Sequence, residues 1–238
     1  MRFSDVLGLA PEFAAYADSM PEALDGRFQV ETYGPGEFIH RKDTELERIG
    51  ILLRGSFRVI NEFENGNVLM IERNDAISFI GEVTLLAGAD TTSVTIESIT
   101  DCVVAYLPVA DFDAWLRQDI RLLRAVSEQV AAKLYCSSYH RGERLFYSAR
   151  YVLMKYIVRQ AEELGIRNRE SVLLPKTRQQ MSEEVGMTVK TINRTLTRFA
   201  ADGLIRVERG KLLLTAAQFE NARQELEIYR NENRNGAR

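Results

Sequence analysis

The sequence predicts an α+β fold in three consecutive parts: an N-terminal β-roll, one long helix, and a C-terminal winged helix-turn-helix domain. Three observations carry this. Short alternating apolar runs separated by turn residues fill residues 27–108. At Asp111 the apolar period lengthens from two to between three and four. Thr177 to Arg198 then reads as two short capped helices around a glycine. A chain of 238 residues, 45% hydrophobic and 27% charged, has room for one large or two small globular domains. The start, MRFSDVLGLAPEF, lacks the basic and apolar pattern of a secretory signal, and no run approaches the roughly 20 apolar residues of a membrane span. Cys102 and Cys136 cannot form a disulfide framework, so a cytoplasmic location is expected.

Residues 1–20 are expected to form one amphipathic helix ending at Pro21. Strands follow at Phe28 to Tyr33, at Phe38-Ile39 after Gly34-Pro35-Gly36, at Ile51 to Leu53 and at Phe57 to Ile60. Asn65-Gly66 lies between the extended runs Val59 to Phe63 and Val68 to Ile71, a strong hairpin signal. Val94 to Ile99 and Cys102 to Leu107 add two strands, and the regular turns suggest a sandwich or roll.

Beyond Asp111, the positions Leu116, Ile120, Leu123, Ser127, Val130, Leu134, Ser137 and Arg141 alternate steps of four and three. This is a heptad-like seam on a helix expected to run about 45 Å. A second stripe with Leu122 and Val126 can lie on the β-domain, so the seam is left to pair with a second copy and make a homodimer. The polar Ser127 and Ser137 on the seam suggest that it does more than pack. The pattern loosens near Gly142 and resumes as a helix over Tyr147 to Glu163, which places a hinge at 142–147. The expected domains are therefore 1–110 for the β-roll, 111–145 for the dimerisation helix and hinge, and 146–238 for the winged helix-turn-helix with a helical tail.

In the third part Thr177 can cap one helix with Gln180 completing a capping box, Gly186 makes the turn, and Thr188 caps the next helix. Ile192, Leu196 and Phe199 form a buried stripe, leaving Val189, Lys190, Asn193, Arg194 and Thr197 outward. This is the geometry that enters a DNA major groove. Ser171 to Lys211 carries eight Lys/Arg against four Asp/Glu in a chain whose net charge is −3, the footprint of a nucleic-acid reader on an acidic body. Leu204 to Val207 and Lys211 to Leu214 form a wing whose Arg209 and Lys211 can reach phosphates. Arg194 suits guanine, Asn193 adenine, and Lys190 either guanine or phosphate. Thr177, Arg178 and Arg198 suit the backbone, and Gln179, Thr188 and Val189 complete the surface.

This order of parts resembles the cyclic-AMP receptor/fumarate-nitrate regulator (Crp/Fnr) family over almost the whole chain. The resemblance is carried by Tyr33-x-x-Gly36-Glu37-x-Ile39, Leu53-x-Gly55-x-x-x-Val59, Phe79-Ile80-Gly81-Glu82-Val83, Pro108, and TRQQMSEEVGMTVKTINRTLTRFAADGLI. It implies a homodimeric transcription regulator with a cyclic-nucleotide-binding-like β-roll, a near-palindromic double-stranded operator, and RNA polymerase as a partner. The acidic Glu62 and Glu64 read equally as contacts to that polymerase or as a solvated hairpin. It also implies an effector site at Gly81, Glu82, Val83, Thr92, Ser93, Ser137 and Ser138. Many relatives carry a glutamate that reads cytosine at the position of Lys190, so a different half-site is expected.

The pocket departs from the nucleotide-binding pattern. Where such members hold the cyclic phosphate with an Arg-Ser pair, this chain has Thr92-Ser93, and no Arg or Lys lies between Arg73 and Arg117. A buried phosphate needs a cation or several aligned donors, which argues against cyclic AMP. Two readings stay open: an unidentified small-molecule effector, or an effector-free roll in which Glu82 and Ser93 satisfy backbone groups. Two cysteines do not supply the four thiolates of an iron–sulfur cluster. Haem needs an axial ligand, but His40 is placed in a loop and His140 on the long helix, both as surface or interface residues. Cys102 reads as core, and Cys136, beside Ser137, is the candidate for thiol sensing. A metal-binding jelly-roll enzyme would need clustered histidines. A ligand-binding regulatory subunit without DNA function would lack the basic helix.

Overall fold

The computed structural model describes residues 1–16, 20–140 and 143–235, with the side chains of 139–140, 143–144 and 232–235 left undescribed. The chain divides into two compact units, Met1–His140 and Arg141–Arg238.

The first unit opens with helix α1 (Phe3–Leu9) and a 3-10 turn over Pro11–Ala15. The single helix expected over 1–20 is thus interrupted. Ala10 precedes Pro11 and takes φ −147°, ψ 82°, because the proline ring pushes its predecessor out of the helical region. The strands follow as β1 (Gln29–Tyr33), β2 (Phe38–His40), β3 (Arg48–Arg54), β4 (Ser56–Glu62), β5 (Val68–Asp75) and β6 (Ser78–Ile80). Helix α2 (Glu82–Leu86) separates these from β7 (Thr95–Ser98) and β8 (Cys102–Pro108). They form two four-stranded antiparallel sheets, ordered β1-β8-β3-β6 and β2-β7-β4-β5. The hairpin anticipated at Asn65-Gly66 joins β4 to β5, closed by the Phe63 N–H donating to the Asn67 carbonyl at 2.9 Å. The three-residue strand β6 is too short to show alternation and was not expected.

Strands β3 and β8 are buried on both faces, which is why they read as nearly continuous apolar runs. On one side Ile49, Ile51, Leu53, Val103, Ala105 and Leu107 pack with Phe13, Phe112 and Trp115. On the other, Leu52, Val104 and Tyr106 pack with Phe57, Val59 and Ile96 from the second sheet.

The long helix of the sequence reading is two helices, α3 (Val109–Gln118) and α4 (Ile120–His140). Asp119 breaks them at φ −112°, ψ 101°. Its Oδ1 accepts the N–H groups of Arg121 and Leu122, both at 3.0 Å, and so caps α4. The 21 residues of α4 span about 31 Å rather than 45 Å. The break also divides the expected seam: Leu116 on α3 is buried beside Trp115, while Ile120 and Leu134 on α4 are 72% and 61% exposed. Leu122 and Val126 pack on the β-roll. Arg141, the last seam position, and Gly142, where the hinge was placed, lie outside the described residues.

The second unit contains α5 (Glu143–Phe146), α6 (Ala149–Glu163), β9 (Ser171–Leu174), α7 (Arg178–Val185), α8 (Val189–Ala201), β10 (Arg206–Glu208), β11 (Lys211–Thr215) and α9 (Ala216–Asn235). The helix expected from Tyr147 begins at Ala149, because the Ser148 side chain accepts the Tyr151 N–H and caps it. The wing hairpin gains a third strand, β9, through pairs such as Leu212 with Leu174. Ile192, Leu196 and Phe199 join Leu153, Met181 and Phe219 in one core.

Candidate functional site

The first candidate surface is built on α7 and α8. The Thr177 Oγ1 accepts the Gln180 N–H at 3.1 Å, and the Gln180 Oε1 accepts the Thr177 N–H at 2.8 Å, a reciprocal capping box. Gly186 ends α7 at φ 69°, a conformation that side chains with a Cβ avoid. The Thr188 Oγ1 then accepts the Thr191 N–H at 3.2 Å and starts α8. Thr195 joins the buried stripe because its hydroxyl donates to the Thr191 carbonyl at 2.9 Å.

Lys190, Asn193, Arg194, Thr197 and Arg198 are exposed on α8, and Val189 is half-buried. Among the described residues, Lys190, Arg194 and Arg198 make no ion pair and no side-chain hydrogen bond. The carboxylate nearest along the chain to Arg194 and Arg198, Asp202, is taken by Arg150 at 2.6 Å, and the one nearest to Lys190, Glu184, by Lys176 at 2.6 Å. The α8 face is therefore cationic and uncompensated.

The flanking candidates are more constrained. Gln179 donates to the Glu183 Oε1 at 2.9 Å, and the half-buried Arg178 lies against the Met181 sulfur, burial holding its pKa below the usual arginine value. On the wing, Arg209 sits exposed at the tip with φ 48°, whereas the Lys211 Nζ donates to the Pro175 carbonyl at 3.2 Å. The sequence reading missed a supporting network: Tyr156 on α6 donates to the Glu184 Oε2 at 2.8 Å, and the Lys176 Nζ bonds the Glu184 Oε1 at 2.6 Å, holding α7 in place. Burial, then the Glu184 charge, pushes the Tyr156 pKa up.

The second candidate site is a cavity of about 410 Å³ in the first unit, between the second sheet, α2 and α4. Gly81, Glu82, Val83, Thr92, Ser93 and Ser137 line it. Ser138, placed with them from the sequence, is exposed on α4 and does not. Gly81 has φ +91°, and a Cβ there would lie 2.7 Å from the Leu46 Cδ1. The Thr92 hydroxyl faces the backbone, donating to the Arg41 carbonyl at 2.9 Å.

Three residues of the cavity were not foreseen. The Lys133 Nζ, from α4, donates to the Oε1 of the buried Glu82 at 2.7 Å and pairs with the Glu72 Oε1 at 3.2 Å. Burial opposes the lysine charge, but Glu82 and then Glu72 outweigh it and hold the Lys133 pKa above its usual value. The stretch between Arg73 and Arg117 supplies no cation; it comes instead from the helix packed on the roll. Glu72 lies one residue beyond the expected run Val68 to Ile71 and belongs to strand β5. His40, expected in a surface loop, ends strand β2 and lines the cavity, and burial holds its pKa below 6.5, favouring the neutral ring.

Cys102 is buried, donates to the Ser56 carbonyl at 3.2 Å, and has its thiol pKa pushed up by burial; Cys136 is exposed on α4. The side chain of His140 lies outside the described set. Among the described residues no group of three or more His, Cys, Asp or Glu is placed to hold a metal ion, and no helix is long and apolar enough to cross a membrane.

A β-roll with a polar-centred cavity against a long helix, followed by a winged helix-turn-helix, defines a transcription regulator with an effector-binding-type domain. The sequence agrees: residues 30–119 match the cyclic nucleotide-binding domain and residues 152–218 the Crp-like helix-turn-helix domain, together about two thirds of the chain. The chain belongs to the Crp/Fnr family of transcription regulators. No curated protein matches it significantly in sequence.

Among solved structures it is similar to the c-di-GMP responsive global regulator CLP of Xanthomonas campestris, at 18% identity and TM-score 0.72 over 89% of this chain and 99% of that one. It is also similar to a CooA mutant from Carboxydothermus hydrogenoformans, at 15% identity and TM-score 0.65 over 96% and 95% of the two chains. A Crp/Fnr-family regulator of Thermus thermophilus gives 19% identity and TM-score 0.66 over 84% and 98%. At these identities the likeness is one of fold.

Proposed function

We propose that the chain acts as a homodimer that reads a near-palindromic operator with α8 and couples this to a small molecule in the β-roll cavity. The observation that carries the DNA reading is the uncompensated cationic face of Lys190, Arg194 and Arg198 on a helix whose opposite side is fully packed. Arg194 reads a guanine edge, Lys190 a guanine or phosphate, and Asn193 an adenine. Thr177, Arg178, Gln179, Thr188, Val189, Arg198, Arg209 and Lys211 frame the backbone contacts. The exposed Ile120, Leu134 and Tyr135 on α4 supply apolar surface for a second copy. RNA polymerase is the further partner, with Glu62 and Glu64 on the β4–β5 hairpin as its candidate contacts.

The effector acts on α4. Val130, Lys133, Leu134 and Ser137 of that helix line the cavity together with Gly81, Glu82, Val83, Thr92 and Ser93, so an occupant that engages Glu82 changes what Lys133 is bound to. It shifts the dimer only by its differential affinity for two α4 arrangements. In this scheme 1–110 senses, 111–145 pairs and transmits, and 146–238 reads DNA. One observation favours a second reading, an effector-independent regulator: Lys133 already satisfies Glu82 from within the chain.

Binding of the purified protein to its own upstream DNA fragments, at two salt concentrations and with and without cyclic AMP, tests both readings. The expected result is tight, salt-sensitive binding that cyclic AMP leaves unchanged. Binding that requires cyclic AMP would overturn the reading of the Thr92-Ser93 pair, and binding absent under all conditions would count against the DNA-reading role.

A further inference from the structure

The cavity is mostly apolar, with Phe57, Val59, Phe79, Val94 and Ile96 among its walls, and its charges are gathered at one place. Glu72 and Glu82 both turn to the single Lys133. Among the described residues no arginine and no other lysine lines it, and His40 supplies a ring whose neutral form is favoured by burial. Two carboxylates against one ammonium leave one excess negative charge, inside walls that screen it poorly. An entering anion would meet that excess with no free cation to receive it. The contacts of Lys133 fall on Oε1 of each carboxylate, so a second ammonium approaching Oε2 of Glu72 and Glu82 would cancel the excess and complete a four-charge cluster.

Resting on the reading that the cavity binds an effector, we propose that its ligand is a small molecule with an apolar body and one protonated amine, not an anion. The apolar body lies along Phe57, Phe79 and Ile96, and the ammonium lies between Glu72 and Glu82. The volume of about 410 Å³ admits a molecule of one or two rings.

Three probes with one skeleton test this on the full chain: 4-phenylbutylamine, 4-phenylbutanol and 4-phenylbutyrate, followed by calorimetry and thermal unfolding. The amine is expected to bind about tenfold or more tighter than the butyrate, with the alcohol between them. Glu72→Gln and Glu82→Gln should each remove most of that preference, and Glu72→Gln keeps the test available if the buried Glu82 variant does not fold. In Lys133→Met the amine should raise the unfolding temperature more than in the unsubstituted protein, because it supplies the missing cation. The proposal is overturned if the butyrate binds as well as the amine, if the amine shows no binding at millimolar concentration, or if its preference survives both glutamine substitutions. DNA binding measured on the same samples separates the two levels: failure of the amine with salt-sensitive DNA binding intact sinks the ligand class alone, whereas loss of DNA binding sinks the regulator reading.

Discussion

On α8, Lys190, Arg194 and Arg198 stand in solvent with no carboxylate among the described residues against them, whereas at the β-roll cavity Lys133 of α4 is held between Glu82 and Glu72. Both regions hold basic side chains, put to opposite use. The α8 charges stabilise nothing inside the protein and are available to a polyanion, so their worth appears in binding and falls with salt. The Lys133 charge offsets the desolvation of a glutamate that is 2% exposed, so its worth appears in the fold and salt screens it little. A basic residue is therefore informative about partners only once its own partners are known.

The contrast is broken most severely at Lys133. Lys133→Met should destabilise the first unit by about 3 kcal/mol, because the nearly fully buried Glu82 loses its counter-charge. Adding Glu82→Leu should recover part of that loss, and denaturant melts of the single and double variants measure the recovery. Losses in the two single variants that simply add in the double variant would mean that the pair is not coupled. Arg194→Ala should leave stability unchanged and cost about 1–3 kcal/mol at one base pair. Arg198→Ala should instead weaken all sequences alike and lower the salt slope by about one. A gel-shift series in which both variants lose affinity uniformly would erase the distinction between base and backbone contacts.

Thr188→Ala removes the cap of α8 and should cost about 1 kcal/mol of stability in the second unit, visible in thermal melts of the full chain. The smallest effect belongs to His40. Its folded pKa lies below 6.5, so its contribution is present above that pH and is lost as pH falls through and below it. Between pH 7 and 5.5, His40→Gln should lose slightly less stability than the unsubstituted chain. An identical pH dependence would place the imidazole in a solvent-like environment.

Local signals are legible where a few neighbouring residues decide the outcome. The Thr177–Gln180 box, the Gly186 turn, the Thr188 cap and the Asn65-Gly66 hairpin all stand as the sequence indicated. The interruptions are harder. Asp119 is a cap residue in plain view, yet the step pattern of the seam passes through it, because alternating steps of three and four cannot distinguish one helix from two in register. Pro11 similarly ends a helix whose periodicity continues. In the cavity, Lys133 lies 51 residues from Glu82. Nothing in the order of the chain pairs them, and only the docking of α4 through Leu122 and Val126 brings that lysine to the roll.

The sequence by itself determined the sequence-local features: strand and helix periods, caps, turns, and the division of α8 into a buried stripe and a cationic face. These depend on contacts within a few residues, where spacing alone sets direction. Only the tertiary structure decided that His40 lines a cavity, that Thr92 braces the Arg41 carbonyl, and that one lysine from a distant helix neutralises a buried glutamate. Such pairings follow from how packed surfaces meet. In a low-dielectric interior, that meeting settles which charges cancel and which remain for a ligand.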